Sequence, residues 1–552
     1  MKRLGTSRLF VVLRGLSAAV VLFFFAQAPP AGAQGQTALT QHAREEVSSG
    51  RAAWVSHFPE TQSLGLNIAL PLRNEAALDA LLEQIYDPQS PAYHQYLSVE
   101  DFTERFGPTQ ADLDAVIHFA QANGLTVTGA APNRLVVDVV GPAANIEQAF
   151  HVTLSRYQHP TENRTFYAPD REPTVDLAVP LWHITGLDNF SLPRPASLVR
   201  IPEAKAGATG SGPGGYFIGS DMRTAYYGGT SLNGGGQSVG LLEFAGFNIE
   251  DVNAYFTKVG QTLAVPVVGV STDGSGLSCS GSCDDTEQAL DIEVAISMAP
   301  ALSQVRVYVS DTSDVSIFNR MATDNISKSL SCSWTWTPAD PTSDDPYFKE
   351  FAAQGQTLFV ASGDSGSYGS RSRYVYPADD AYVTSVGGTD LTTAGAGGAW
   401  KSETAWADSG GGVSPDKIGI PSYQATAGVI TTANKGSRTY RNSPDVAAEA
   451  NTDNYICYDG VCEGGWGGTS FAAPRWAGYL ALANQQSENY GLRTLGFINP
   501  ALYTIGLGAS YGKDFHDITS GANGSYSAQK GYDLVTGWGS PNGPGLINTL
   551  AP

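Results

Sequence analysis

A serine in a glycine-rich turn is the first residue in this sequence that could carry chemistry. It is Ser470, within the segment Gly467-Gly468-Thr469-Ser470-Phe471-Ala472-Ala473-Pro474. The two glycines permit a tight turn and the close approach of another backbone. The apolar residues that follow predict a helix to about Gln485, so that Ser470 would lie at the positive end of the helix dipole, where a backbone N–H helps to bind an oxyanion. The ordinary alternative is a serine that only caps a helix.

A serine hydroxyl needs a base before it can act as a nucleophile, and the distribution of histidine limits which base is possible. Seven of the eight histidines lie at or before position 183, and only His516 follows. Residues 184–515 therefore contain no histidine, and any catalysis within them must use another base.

A pair of carboxylates supplies the alternative base. In the segment that starts at Asp284, Asp285 and Gln288 predict a capping box that opens a helix. Glu287 and Asp291 are then four residues apart and lie on one face of that helix. Such a pair is either solvated at the surface or shares a proton in a buried site, and the spacing alone leaves both interpretations open.

Three segments together resemble the sedolisins, the serine-carboxyl peptidases that include the kumamolisins. They are the Glu287–Asp291 pair, the later segment Ser362-Gly363-Asp364-Ser365-Gly366, and the turn Gly468-Thr469-Ser470. The resemblance implies that Ser470 is the nucleophile, that Glu287 is its general base and that Asp291 supports Glu287. It also implies that Asp364 is the oxyanion residue, and that Glu243 and Trp334 extend the carboxyl network.

The chemistry of these residues points to acid solution. A free glutamate titrates near ~4.3, so as a base it suits acidic rather than neutral solution. Asp364 donates a hydrogen bond to an oxyanion only when it is protonated, because an ionised carboxylate would repel that charge. We therefore expect an acid-active serine-type peptidase whose activity falls towards neutral pH, and the resemblance to the sedolisins implies that it is an endopeptidase.

Three rival interpretations of the serines are less consistent with the sequence. The segment Gly363-Asp364-Ser365-Gly366 resembles the nucleophile motif of chymotrypsin-like proteases, but that chemistry needs a histidine upstream in the same domain. A subtilisin triad around Ser470 lacks its histidine for the same reason. An α/β-hydrolase would need a GxSxG elbow around Ser470, and that motif is absent there. A secreted binding protein with an inactive protease fold conflicts with the complete set of candidate catalytic residues.

The resemblance also implies one structural calcium ion near the C-terminus. Its ligands would be the side chains of Asp517 and Asp533 with the carbonyl oxygens of Ile518, Gly531 and Gln529. Carboxylate and carbonyl oxygens are the ligands that a hard cation requires. Read alone, a loop with two aspartates is more typical of turn chemistry.

Short apolar segments that alternate with helical ones must position these side chains. The predicted strands are Ser238–Phe244, Gln304–Ser310, Ser329–Trp334, Thr357–Ser362 and Tyr382–Val386. This alternation indicates an α/β fold with a doubly wound, mostly parallel sheet covered on both faces, for which the resemblance implies the subtilisin-like form. In such sheets the active-site crevice lies at the C-terminal ends of the strands.

The N-terminal part has a different pattern, a β-α-α-β-α-β alternation that suggests an α+β ferredoxin-like plait. Its predicted elements are the strands Leu64–Leu72, Arg134–Val140 and Val152–Tyr157 and the helices Glu75–Ile85, Gln110–Asn123 and Ala143–Phe150. The segment Ser90-Pro91-Ala92-Tyr93-His94-Gln95-Tyr96-Leu97 resembles the activation prodomain of the sedolisins, which implies an intramolecular inhibitor.

Four regions follow from these patterns: a signal peptide at 1–33, a prodomain at 34–192, an exposed linker with the processing site at 193–215, and a catalytic domain at 216–552. The first 33 residues have a basic start, an apolar run and a small-x-small cleavage signal, which predicts secretion. In a secreted protein, Cys279 with Cys283 and Cys457 with Cys462 could form small disulfide loops, and Cys332 would be a buried free thiol.

Charge and hydropathy exclude several classes of partner. The net charge of −21 argues against binding to a nucleic-acid backbone, which requires basic patches. No later segment approaches 18 apolar residues, so we expect no membrane span in the mature protein. The expected partners are protein or peptide substrates and the chain's own prodomain, and we expect a monomer.

Overall fold

The structure is a computed structural model of the 552-residue chain. It describes residues 37–196, 198–201, 209–279, 283–339, 341–369 and 375–552. The predicted signal peptide lies outside the described residues, as does part of the predicted linker.

The C-terminal region is built around one eight-stranded sheet. Along the sheet the strands are ordered Val267–Ser271, Gln304–Val309, Ser238–Glu243, Ser329–Cys332, Thr357–Ala361, Thr384–Thr393 and Trp400–Ala405, and Val446–Glu449 also pairs with Thr384–Thr393. All pairs are parallel except that of Trp400–Ala405 with its neighbour. The five predicted strands are all present, and the last extends to Thr393 instead of ending at Val386. The predicted parallel sheet is confirmed.

Helices cover both faces of this sheet, as its fully apolar strands require. Leu241 packs with the helices Ile249–Lys258, Thr286–Met298 and Thr469–Asn489, whereas the next residue, Leu242, packs with Asp314–Asp324 and Pro341–Ala353. The other helical segments of this region are Pro213–Gly215, Gly219–Tyr226, Ser422–Ala425, Asn499–Leu507, Tyr511–Asp514 and Gly543–Leu550. Its remaining strands are Trp334–Thr335, Gly412–Val413, Asn442–Ser443, Asn454–Tyr458, Val461–Gly467, Phe515–His516 and Ser540–Pro541. The doubly wound architecture is thereby confirmed.

The N-terminal region has the strand order of a ferredoxin-like plait. Its four-stranded antiparallel sheet is ordered Thr126–Ala130, Val136–Pro142, Ser63–Ala69 and His183–Thr185. The predicted helices Glu75–Ile85 and Ala143–Phe150 are present with those bounds, and Gln110–Ala122 ends one residue early. The sequence interpretation missed the helix Val99–Phe106, which begins with a capping box between Ser98 and Asp101.

The N-terminal region also contains smaller elements around this sheet. They are the helix Glu45–Ser48 and the strands Thr37–Ala38, Trp54–His57, Leu154–Gln158, Thr165–Pro169 and Thr174–Val175. Trp54–His57, Leu154–Gln158 and Thr165–Pro169 form a second antiparallel sheet, and Thr37–Ala38 pairs with Thr174–Val175.

The N-terminal region docks on the outer helices of the large sheet. Leu78 and Phe102 share one buried apolar cluster with Phe351. At the edge of that cluster the Tyr86 hydroxyl donates to the carbonyl of Ala352 over 2.6 Å and accepts from the N–H of Phe497 over 2.9 Å. The two regions therefore meet through an apolar interface with satisfied hydrogen bonds at its edge.

Salt bridges at the rim of the same interface join the two regions further. The Lys349 ammonium group lies 2.8 Å from Glu75 and 3.0 Å from Asp79 of the N-terminal region. The Lys349 side chain is largely buried, but both carboxylates are about half exposed, so solvent screens these ion pairs. The apolar contacts and the tyrosine hydrogen bonds therefore hold the interface.

In its described part, residues 193–196, 198–201 and 209–215, the linker is not the freely exposed segment that its composition predicts. Its strand Arg194–Pro195 pairs antiparallel with Trp334–Thr335, and its strand Val199–Arg200 pairs antiparallel with Trp466 and Gly467. Ala196 between them is buried. Glycine and proline content predicts an exposed loop, but here backbone hydrogen bonds to the C-terminal region fix the chain.

Both predicted disulfides are confirmed, Cys279–Cys283 and Cys457–Cys462, and Cys332 is a buried free cysteine as predicted. Among the described residues, no helix combines the length and the apolar character that crossing a membrane requires.

We predict that Tyr86→Phe lowers the melting temperature of the full-length protein, because it leaves a buried carbonyl and a buried N–H without their partner at the interface. A loss of about 1–3 kcal/mol in the free energy of unfolding is expected, measured by thermal or chemical denaturation with Ser470→Ala present in both proteins. Tyr93→Phe is the matched control, since the partly exposed Tyr93 makes no such pair of contacts. Equal losses in both variants would contradict the role of the Tyr86 hydroxyl.

Candidate active site

Two buried helices carry the predicted serine and carboxyl pair. Ser470 is the second residue of the helix Thr469–Asn489, and Glu287 and Asp291 lie in the first half of the helix Thr286–Met298. The helices pack closely because Gly478 faces Met298, where an added Cβ would come within 2.7 Å of the Met298 Cβ. The sequence pair is therefore not solvated at the surface: it lies in the core beside Ser470.

The remaining candidates lie at the C-terminal ends of parallel strands, where an active-site crevice is expected. Glu243 ends the strand Ser238–Glu243, and Trp334 follows the strand Ser329–Cys332. Asp364 follows the strand Thr357–Ala361. The structure thus brings all six predicted site residues to one edge of the sheet.

A chain of carboxyl groups extends inward from Glu287. The Trp334 ring N–H donates to Glu243 Oε2 over 2.9 Å, and the Ser333 hydroxyl donates to Asp291 Oδ1 over 2.9 Å. Burial raises the pKa of both Glu243 and Asp291 well above the ordinary value. The charge of Glu243 adds to the rise at Asp291, and the charge of Glu287 adds to the rise at Glu243. Two adjacent buried carboxyls in this position must share a proton.

Glu287 lies between this carboxyl chain and Ser470. Burial raises the pKa of the Glu287 carboxyl well above its ordinary value, the neighbouring Asp291 adds to the rise, and the nearby hydroxyls of Ser470 and Ser333 oppose it. Both carboxyl oxygens of Glu287 and the Ser470 Oγ are buried without a hydrogen-bond partner among the described residues. Buried polar atoms that lack partners are costly, and such groups concentrate at functional sites.

Asp364 contacts the first residue of the helix Thr469–Asn489, which carries Ser470. Its Oδ1 accepts hydrogen bonds from the Thr469 N–H and the Thr469 hydroxyl, each over 2.7 Å. Its Oδ2 is buried without a partner among the described residues and lies 2.8 Å from the place of a Cβ on Gly468, where only glycine leaves room. Burial raises the pKa of Asp364 to about 8, so this carboxyl is protonated in acid and its Oδ2 has a proton to donate.

Two residues of the site were missed by the sequence interpretation, and one local prediction was wrong. Ser333 and Thr469 are part of the quoted segments, but nothing in their spacing indicates a role. The predicted capping box is absent: Asp285 makes no cap, because its carboxylate accepts from the N–H groups of Asn248 and Asp459 instead.

The residues predicted to hold calcium meet around one C-terminal loop. The N–H of Gly531 donates to Asp517 Oδ1 over 3.1 Å, and the N–H of Gln529 donates to Asp533 Oδ2 over 2.9 Å. Ile518 is buried beside them. The N–H groups of Val535 and Thr536 also donate to Asp533 Oδ1, over 2.9 and 2.8 Å. Two carboxylates with loop carbonyls form the all-oxygen donor set that fits a hard cation.

Comparison with known proteins agrees with this architecture. Residues 52–190 match the model of the pro-kumamolisin activation domain, and residues 287–499 match the model of the subtilase family. The chain is 31% identical to kumamolisin from Bacillus sp. (strain MN-32), in an alignment that covers 93% of this chain and 96% of that protein. It is 29% identical to sedolisin from Pseudomonas sp. (strain 101), over 90% of this chain and 88% of that protein.

A solved structure of a sedolisin is also similar to this chain. Pseudomonas sedolisin, a serine-carboxyl proteinase complexed with two molecules of pseudo-iodotyrostatin, superimposes with a TM-score of 0.53 and 27% identity, and the match covers 62% of this chain and 98% of that one. The similarity thus extends through the subtilisin-like domain, and the activation-domain match covers most of the N-terminal region. This chain therefore belongs to the sedolisin family of serine-carboxyl peptidases, and it is a serine-type peptidase made as a zymogen whose activation prodomain acts as its intramolecular inhibitor.

Proposed function

We propose that this protein is an acid-active endopeptidase in which Ser470 is the nucleophile, Glu287 the general base and Asp364 the oxyanion donor. The observation that carries the proposal is the convergence of three buried, unpartnered groups at one edge of the sheet: the Ser470 hydroxyl, the Glu287 carboxyl and Asp364 Oδ2. Acyl transfer requires a nucleophile, a general base and a donor to the oxyanion, and these three groups can supply them in that order.

In the first half of the reaction, Ser470 Oγ attacks the carbonyl carbon of a peptide bond while Glu287 accepts the hydroxyl proton. The carbonyl oxygen becomes an oxyanion and receives a hydrogen bond from protonated Asp364. The C–N bond then breaks as the proton on Glu287 passes to the amine, which leaves an acyl-enzyme. Water attacks the ester in the second half, with Glu287 again accepting and returning the proton, so that Ser470 is restored.

Asp291, Glu243 and Trp334 act in this scheme as positioning residues. Asp291 supports Glu287 from inside the carboxyl chain, and the Trp334 N–H fixes Glu243 at its inner end. A proton shared within this chain lets Glu287 gain and lose its own proton without placing several unpaired negative charges in the core.

The linker supports a mechanism for zymogen inhibition and processing. The N–H of Ala196 donates to the carbonyl of Ser333 over 3.0 Å, and the N–H of Ile201 donates to the carbonyl of Gly465 over 2.8 Å. A segment that pairs on both sides of Ser470 follows the path that a substrate backbone would take. We infer that it blocks the cleft in the zymogen and that the chain cleaves itself on the N-terminal side of Leu198 in acid.

The remaining properties are proposals of the same kind. We propose that residues 1–33 direct secretion, residues 34–192 form the prodomain, residues 193–215 contain the processing site, and residues 216–552 are the mature catalytic domain. Two disulfides support an oxidising, extracellular location.

We propose one calcium ion, held by Asp517, Asp533 and the carbonyls of Ile518, Gly531 and Gln529, which stabilises the C-terminal loop. We further propose a monomer with neither nucleic acid nor membrane as partner.

Replacement of the reacting groups should abolish peptide hydrolysis. Ser470→Ala and Glu287→Gln are expected to lower kcat by about 10⁴-fold or more, because they remove the nucleophile and its base. The measurement is acid proteolysis of an unfolded protein. Ser365→Ala is the matched control: this exposed serine lies in the chymotrypsin-like motif and should leave the rate unchanged. Near wild-type cleavage by Ser470→Ala would refute the assignment.

The pH profile should report the protonation of Asp364. Wild-type kcat/KM is expected to fall as pH rises through the pKa of Asp364, because the ionised carboxylate loses its donor. That pKa should lie below 8 once the linker leaves and water enters the cleft. Asp364→Asn keeps an N–H donor at every pH, so its profile should lose this alkaline limb, whereas Asp364→Ala should be slower by roughly 10²–10³-fold throughout. An unchanged limb in Asp364→Asn would contradict the role.

Removal of calcium should destabilise the protein. A chelator is expected to lower the melting temperature by several degrees, since an ion at 100 times its Kd contributes about 2.7 kcal/mol. Added calcium should restore the wild type but not Asp517→Asn. Asp311→Asn, which alters an exposed aspartate outside the loop, should respond like the wild type. A melting temperature insensitive to chelation would exclude a structural ion at this loop.

A further inference from the structure

The linker places one side chain, that of Leu198, in an apolar depression beside the serine helix. Leu198 is half-buried and packs against four buried side chains, and two partly buried aromatic residues border the same cluster. The buried members are Leu290, Val294, Ile456 and Phe471, and the aromatic ones are Tyr458 and Trp466. Three different elements thus build this pocket. They are the helix Thr286–Met298, the helix Thr469–Asn489, and the hairpin of Asn454–Tyr458 and Val461–Gly467.

The direction of the linker assigns the pocket to one side of the cleaved bond. The chain runs from Ala196, bonded to Ser333, towards Val199, which pairs with Gly467 of the hairpin. Leu198 lies between these anchors, and one of its methyl carbons is 3.0 Å from the place of a Cβ on Gly468. The same glycine borders Asp364 Oδ2. A substrate that follows this path therefore has its leaving-group side along the hairpin and its acyl side at Ser333.

The neighbours of Leu198 differ in chemistry from those of the residues that follow it. Side chains alternate along a strand, so Val199 points away from the pocket, and it belongs to none of the described apolar clusters. Arg200 returns to the pocket side but pairs with Glu463, further along the hairpin. Of the positions 198, 199 and 200, that of Leu198 packs against the four buried aliphatic and aromatic side chains, which favours an apolar side chain of leucine size.

We propose that Leu290, Val294, Ile456 and Phe471 form a specificity subsite that selects a leucine-like residue immediately after the scissile bond. This inference rests on the proposed function, because it assumes that peptides are cleaved at Ser470 along the path of the linker. It adds the chemical class of substrate that the leaving-group side accepts.

The test uses the mature enzyme and peptides that differ only in the residue after the scissile bond, with cleavage positions read by mass spectrometry. Leucine should exceed asparagine, a polar residue of similar size, by roughly 10- to 100-fold in kcat/KM. The same exchange one residue further, at the position of Val199, is the control and should change kcat/KM by less than about threefold. Equal cleavage of the leucine and asparagine peptides would overturn the subsite. Failure to cleave any peptide, or cleavage by Ser470→Ala, would instead overturn the proposed function.

A pocket variant tests the lining residues independently. Val294→Ala enlarges the pocket and should raise the ratio of phenylalanine to leucine peptides in kcat/KM several-fold. Val252→Ala removes the same atoms from a buried valine outside the cluster and should leave that ratio unchanged. A ratio unchanged in Val294→Ala, or shifted equally in both variants, would contradict the assignment of Val294. Because the readout is a ratio within one enzyme preparation, partial loss of folded protein does not affect it.

Discussion

The close packing of the helix Thr286–Met298 against the helix Thr469–Asn489 holds the candidate base next to the candidate nucleophile. A glycine, Gly478, makes this approach possible, because any larger residue would meet Met298. Catalytic groups lose much of their effect when they are displaced by about 1 Å. The spacing of these two helices therefore decides whether Glu287 can reach Ser470. The sheet then supplies Glu243 and Asp364 from fixed positions, and both helices and sheet belong to one buried core.

The second constraint is electrostatic. Isolated charges are expensive in a protein interior, yet Glu243, Glu287 and Asp291 are all buried, and no basic side chain is ion-paired with any of them among the described residues. The arrangement is consistent only if protons are retained, and the raised pKa values express the same fact. Elsewhere this protein solves the problem differently: Asp445 is buried against Arg441. We propose that this use of retained protons in place of cations suits the site to acid.

Much of this could be predicted from the sequence. Apolar runs such as Ser238–Glu243 gave the parallel sheet, and the motifs around Glu287 and Ser470 carried the resemblance to the family. Contacts between distant segments could not be predicted. The Ser333 hydroxyl has a role only because the fold brings it within hydrogen-bond distance of Asp291. Asp285 does not cap its helix because its carboxylate accepts from the N–H groups of Asn248 and Asp459 instead. The linker strand was missed because its partners lie more than a hundred residues away and its composition resembles that of an open loop.

The proposed blocking of the cleft by the paired linker would also have a kinetic consequence. A blocking segment joined to the enzyme at both ends acts at an effective concentration in the range of ~mM, whatever the dilution of the protein. Weak intrinsic affinity is therefore sufficient to keep the cleft filled, and the sequence of the segment is free to remain an ordinary, cleavable one. A single break in the backbone removes the connection, and occupancy then depends on how tightly each fragment binds by itself. Under the proposed mechanism one hydrolysed bond would turn a unimolecular block into a dilute competitor, and activation would in that sense be irreversible.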